Sequence, residues 1–170
     1  MPKVPAPPGA GSIDAQGVAA LRRGDFGQAF GSAFQELALR HPPRLPGGKL
    51  ALLDRVPAID PAGGEFGLGF IAAELNIDAD DWHMVCHFVD DRVMPGTLMY
   101  EACAQTLRVL MWRWGWLGEE GAWTAEPTPG VTSKLRCRGQ VVPGCRVLRY
   151  EITVTGRTLD PCPAALADAV

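Results

Sequence analysis

The segment from Cys86 to Trp116, CHFVDDRVMPGTLMYEACAQTLRVLMWRWGW, decides how this chain is read. Its second half is a long apolar run in which a single carboxylate, Glu101, stands. A carboxylate taken out of water is costly unless it is paired or protonated. Pro95 and Gly96 mark a helix start, because proline is tolerated in a first turn and breaks a helix further in. The pattern predicts a helix of about 20 residues that runs to Leu117 and ends at Gly118. Leu98, Ala102, Leu107, Leu110 and Trp112, with their neighbours, cover nearly every angle of it, and a helix apolar all round is expected to be buried.

Glu101 and Gln105 are spaced i, i+4 and share one face, so the amide can bond and orient the carboxyl. Two readings of this pair stay open: a structural polar pair in the core, or a carboxyl whose burial raises its pKa for acid catalysis. His87 precedes Glu101 by a loop and one helical turn. An imidazole and a carboxyl held together are the parts of general acid–base chemistry. Between them, free N–H groups at the helix start around Gly96 can hold negative charge developing on a carbonyl oxygen. A histidine on an apolar strand also serves as an ordinary core residue, and spacing alone leaves that reading open.

Composition sets the outer limits. The 170 residues suffice for one domain with a real core and not for two ordinary ones. A net charge of −3 argues against a nucleic-acid partner, which would call for a basic surface. The most apolar window is broken by Glu101, Gln105, Arg108 and Arg113, so no membrane span is expected, and without a basic, then apolar opening no secretory leader is expected either. Cys86, Cys103, Cys137, Cys145 and Cys162 form no CxxC pair; they read as reduced thiols of a cytoplasmic protein. His83, Asp90 and Asp91 lie close to the central motif and read as loop or packing residues. No metal is expected, because His83 and His87 occupy a strand-to-loop segment and not one face of a helix.

Residues 1–12 read as a Pro/Gly/Ala linker, and residues 13–170 as one domain. A helical pattern opens at Ser12/Asp14 and stops near Gly24, and a second short helix is predicted from Phe26 to Arg40. Strands are predicted at Lys49–Val56 and Glu65–Leu75, the latter bent at Gly67 and Gly69 against something bulky. WHMVCHF reads as a short strand or loop entry. GVTSKLRCRGQVV and CRVLRYEITVTGR alternate as antiparallel strands joined through Pro143-Gly144. Strands, one long apolar helix and more strands make an α+β fold, with a sheet wrapped on a single helix.

The string CHFVDDRVMPGTLMYEACAQ resembles the active-site signature of the hot-dog-fold beta-hydroxyacyl-acyl-carrier-protein dehydratases. The matching elements are Cys86-His87-Phe88, Val93-Met94-Pro95-Gly96, and Leu98 to Ala102 followed by Gln105. GDFGQAFGSAF and PPRLPGGKLALLDRV before the string, with GVTSKLRCRGQVVP after it, resemble dehydratase domains of polyunsaturated fatty acid synthases and related polyketide-type assembly lines. The resemblance runs from Gly24 to Arg157. It implies the hot-dog fold, a curled antiparallel sheet around one long central helix. It also implies removal of water from a 3-hydroxyacyl thioester, with His87 as the base at C2, Glu101 as the acid at the C3 hydroxyl and Gly96 N–H as the thioester carbonyl donor. Gln105 supports Glu101. Glu101 stands where some relatives have Asp, which leaves open whether the trans-2 product is also isomerised.

No cofactor is implied beyond the phosphopantetheine of the substrate's acyl carrier protein. The resembled site is shared between two hot dogs, so a homodimer or a paired hot-dog domain is expected. A further strand or two follows Arg157 in that family, so the chain is expected to be cut short at its C-terminus. The same fold hosts thioesterases and enoyl hydratases, and a non-catalytic partner module is the third alternative.

Overall fold

The computed structural model describes residues 9–37, 39–117 and 126–170. Strand β1, Gly11–Ile13, begins inside the stretch read as linker and leads into α1, Ala15–Arg23. Asp14 caps α1, its carboxylate accepting from the Gly17 N–H at 2.8 Å, an interaction worth about 1 kcal/mol. Gly24 closes the helix in the left-handed conformation, φ 81°. Helix α2 covers only Phe26–Phe30, because Gly31 leaves helical geometry and a short 3₁₀ turn, Ser32–Phe34, follows.

The sheet is antiparallel throughout, in the order β1-β2-β3-β4-β5. Strand β2 is Arg55–Asp60, later than the predicted Lys49–Val56, whose beginning instead forms a 3₁₀ turn at Gly48–Leu50. Pro57 thereby falls inside a strand. The ladder tolerates it through a register shift between Arg55 and Ala58, where no N–H is demanded of the proline. Strand β3, Phe70–Asn76, pairs with β4, Val147–Thr158, in unbroken register from Phe70↔Thr153 to Asn76↔Val147. Alternate residues Tyr150, Ile152 and Val154 of β4 are buried, as a two-residue period requires of a half-buried strand. The segment after Arg157 contributes β5, Ala164–Ala169, which pairs with β4.

Strand β3 starts at Phe70 and not at the predicted Glu65, so Gly67 and Gly69 lie in the turn before it and not in a bent strand; Gly69 still meets a bulky neighbour. Its φ is 139°, and a Cβ there would lie 2.6 Å from Cζ2 of Trp114. The indole is fixed in turn by donating from Nε1 to the Pro61 carbonyl at 2.9 Å.

Among the described residues, the strand alternative for WHMVCHF and the predicted strand GVTSKLRCRGQVV are both absent. Residues Trp82–Cys86 form α3, burying the consecutive residues His83 and Met84, which a strand would send to opposite faces. GVTSKLRCRGQVV carries no sheet ladder; among the described residues, its backbone joins the fold where Met94 N–H donates to the Val141 carbonyl at 2.9 Å.

Helix α4, Gly96–Arg113, packs on β3 and β4. At its last residue the Arg113 guanidinium donates to the Phe30 carbonyl at 3.1 Å, and Gly115, φ 78°, turns the chain before the predicted stop. Gly118 lies outside the described residues. The helix is buried along one stripe (Ala102, Gln105, Thr106, Val109, Leu110), while Leu98, Met99, Cys103, Leu107 and Met111 stay half-covered. It is therefore not enclosed on all sides by the described residues of one chain. One long helix against a five-stranded antiparallel sheet is the α+β, hot-dog arrangement.

Candidate active site

His87 follows α3 directly, at the start of the loop that leads to α4. That loop is closed by a reciprocal pair: the Val93 N–H donates to the His87 carbonyl at 2.9 Å, and His87 Nδ1 lies 3.1 Å from the Val93 carbonyl. A carbonyl oxygen only accepts, so Nδ1 must carry the proton. In the neutral ring this leaves Nε2 with its lone pair, the form a general base requires. The imidazole also stacks on Phe88 at a centroid distance of 4.0 Å. Phe88 and Val89 beside it are 57% and 83% exposed, an apolar surface next to the imidazole.

Glu101 sits half-buried on α4. Gln105, 1% exposed, donates to Glu101 Oε1 at 2.9 Å and to the Leu50 carbonyl at 3.1 Å. The i, i+4 pairing expected from the sequence is thus present, and it is anchored to a backbone group that spacing alone could not reveal. The half-burial differs from the enclosure expected, because the outer stripe of α4 is only partly covered.

Gly96 opens α4. Pro95 offers no side-chain cap, and the first bonds inside the helix run from Leu98 and Met99 N–H to the Pro95 carbonyl at 3.0 and 3.3 Å. Among the described residues the N–H groups of Gly96 and Thr97 have no backbone acceptor, at the positive end of an 18-residue helix. A Cβ at Gly96 would stand 2.7 Å from Cys137 Sγ and 3.9 Å from Leu135 Cδ2, so the segment after Gly130 lies directly against the helix start. Beside it Thr97, Tyr100, Ser133 and Leu135 line an open cavity of about 270 Å³, across which the Tyr100 hydroxyl meets Ser133 Oγ at 3.3 Å.

The fold therefore brings Glu101 to Gln105, and sets His87 and Gly96 at the two ends of one short loop. Among the described residues, no hydrogen bond or ion pair joins His87 to Glu101. His83, by contrast, is a packing residue. It is 3% exposed with Nδ1 unpartnered, and desolvation holds its pKa below the ordinary 6.5 against the raising influence of Asp81, 3.8 Å from Nε2. No group of three His, Cys, Asp or Glu among the described residues is placed to hold a metal ion.

Residues 45–170 match the model of the FabA-like domain. The chain belongs to that family. His87, Gly96, Glu101 and Gln105 all lie inside the matched span. The chain is also 38% identical over 149 residues to a polyunsaturated fatty acid synthase polypeptide of Thraustochytrium sp., an alignment covering 85% of this chain. It spans 10% of the length of that relative.

Sequence reasoning missed three groups of this candidate site: the Val93 carbonyl that sets the His87 tautomer, the Leu50 carbonyl that anchors Gln105, and Cys137 against Gly96. Two are main-chain atoms, which every residue carries and no motif marks. The third is brought in from a segment about forty residues downstream.

Proposed function

We propose that this FabA-like domain is a dehydratase that removes water from a 3-hydroxyacyl thioester carried on an acyl carrier protein, in fatty acid or polyunsaturated fatty acid synthesis. The observation that carries the reading is the His87 ring held through Nδ1, which leaves Nε2 as a base on the same loop as the Gly96 N–H. His87 Nε2 takes a C2 proton while Gly96 N–H donates to the thioester oxygen as enolate-like charge grows on it. Loss of one such donor typically costs about 10² to 10³ in rate. Glu101, oriented by Gln105, gives its proton to the C3 hydroxyl. The C3–O bond breaks, the C2=C3 double bond forms and water leaves; proton exchange with solvent restores His87 and Glu101. No electrons are exchanged with a cofactor.

His87 and Glu101 are not bonded to each other within one chain, and Phe88, Val89 and the outer stripe of α4 leave apolar surface open beside them. Both facts favour a site completed by a second hot dog, in a homodimer or a tandem domain. All five cysteines are free thiols, in keeping with a reducing cytoplasm. Among the described residues, no helix is long and apolar enough to cross a membrane.

Mass spectrometry of 3-hydroxyacyl-carrier-protein thioesters incubated with the protein tests the activity. Loss of one water from the acyl group supports it. Release of free acid would instead assign a thioesterase, and an unchanged acyl group a non-catalytic partner module.

A further inference from the structure

The loop that carries His87 folds back on itself. Phe88 N–H donates to the Asp91 carbonyl at 2.6 Å, Asp91 N–H returns to the Phe88 carbonyl at 3.2 Å, and the tip residues Val89 and Asp90 are exposed. The returning arm brings the Val93 carbonyl to His87 Nδ1. Both neighbours of Val93 tie that arm to other parts of the fold. On one side the Met94 N–H donates to the Val141 carbonyl at 2.9 Å. On the other, Arg92 donates from Nε to the Met84 carbonyl at 3.3 Å and from Nη2 to the Ala79 carbonyl.

Helix α3 is a firm base for this clasp. It buries His83 and Met84, and Trp82 Nε1 donates to the Lys49 carbonyl at 3.0 Å. Among the described residues neither the Met84 nor the Ala79 carbonyl receives a main-chain N–H. Met84 lies in the last turn of α3, where carbonyls are left over, and the guanidinium satisfies it together with Ala79. A planar fork of donors spans two carbonyls in a way that a lysine ammonium does not reproduce. Asp80, the ion-pair partner of Arg92, is 3.7 Å away with its side chain 93% exposed, and a pair so open to water contributes little. Arg92 therefore acts through its two carbonyl bonds more than through its charge.

We propose that Arg92 is a positioning residue for His87: it clamps the returning arm of the loop to α3 and so keeps the Val93 carbonyl where it fixes the imidazole proton on Nδ1. An imidazole that loses this acceptor samples the other tautomer, with the proton on Nε2 and no lone pair there to act as a base. The consequence for turnover rests on the dehydratase reading, whereas the tautomer itself does not. Because the Met94 anchor and the Phe88–Asp91 pair remain, loss of Arg92 loosens the loop without abolishing it.

The test compares the wild-type chain, with nitrogen-15 in its histidines, against Arg92→Ala and Arg92→Lys at pH 8.5, above the ordinary histidine pKa of about 6.5. A His87→Gln variant identifies the His87 signals by their loss. Ring-nitrogen shifts should show one Nδ1–H form in the wild type and a mixture of both tautomers in Arg92→Ala. Steady-state kinetics on a 3-hydroxyacyl-pantetheine thioester is the second arm. There kcat should fall about ten- to a hundredfold while KM changes less than about threefold, since the base is displaced and the substrate's own contacts remain. Millimolar guanidinium should restore part of the kcat and of the Nδ1–H signal to Arg92→Ala, and do nothing for His87→Gln. Arg92→Lys should stay impaired, and it carries both arms if circular dichroism shows Arg92→Ala unfolded. A single Nδ1–H form in the variants would overturn the proposal. So would a tautomer mixture with wild-type kcat, or full activity in Arg92→Lys, which would reduce the clasp to a charge. A tautomer mixture in Arg92→Ala, with no dehydration even by the wild type, would leave the positioning of His87 standing and remove the dehydratase reading.

Discussion

Gln105 uses both hydrogens of its side-chain amide, one on Glu101 at 2.9 Å and one on the Leu50 carbonyl at 3.1 Å. The second bond explains the first: an amide tied to a backbone carbonyl from another part of the chain cannot rotate away, so Glu101 inherits a fixed direction. Replacing Gln105 by leucine leaves the Leu50 carbonyl without this donor, at a cost of about 1–3 kcal/mol in stability. If Gln105 positions the acid, kcat should fall further than KM changes, and Gln105→Asn should restore stability without restoring kcat. Thermal unfolding and steady-state kinetics of the two variants separate these effects.

His87→Ala and Glu101→Gln should each lower dehydration by about 10²- to 10⁴-fold, the range for a positioned acid or base. Neither side chain is fully buried, so the folded state should persist, as circular dichroism would show. Near-wild-type turnover in either variant would remove that residue from the mechanism.

Gly96 has no room for a methyl group while Cys137 keeps its place, since the new Cβ would meet Sγ at 2.7 Å. Gly96→Ala should therefore push the Cys137 segment outward and lower turnover. Because the obstruction is a single sulfur, adding Cys137→Ala should recover much of the loss. Failure of the double variant would mean that the methyl group obstructs substrate directly.

His83 makes stability depend on pH. Its folded pKa is lowered by desolvation, so the unfolded chain binds a proton that the folded chain resists. Its contribution is complete above the unfolded value near 6.5 and is lost as pH falls from there toward the lower folded value. His83→Phe should flatten this slope. Denaturant midpoints at pH 7.5 and 5.5 for both proteins are the measurement, and an unchanged slope would show that His83 ionises freely.

Burial raises the Cys103 thiol to a pKa of about 11, whereas Cys86, Cys137 and Cys162 are exposed. At pH 8 iodoacetamide should modify the exposed three first and Cys103 well after them, because the thiolate is the nucleophile. Peptide mass spectrometry over a time course would register the order.

The long helix, its start at Pro95-Gly96, the Glu101–Gln105 pair and the α1 caps were all legible in the order of residues. Each depends on residue chemistry at short separation, which spacing records. Packing settled what depends on partners remote in the chain. Trp82–Cys86 became a helix in order to bury His83 and Met84 together, and Pro57 entered β2 because a register shift excused its missing N–H. GVTSKLRCRGQVV has a strand's alternation, but a strand also needs a neighbour to pair with, and this segment turns its alternate residues to the start of α4 instead. The tautomer of His87 belongs with these: the imidazole was legible in the motif, but the carbonyl that fixes its proton is main chain, placed only when the loop closes on Val93.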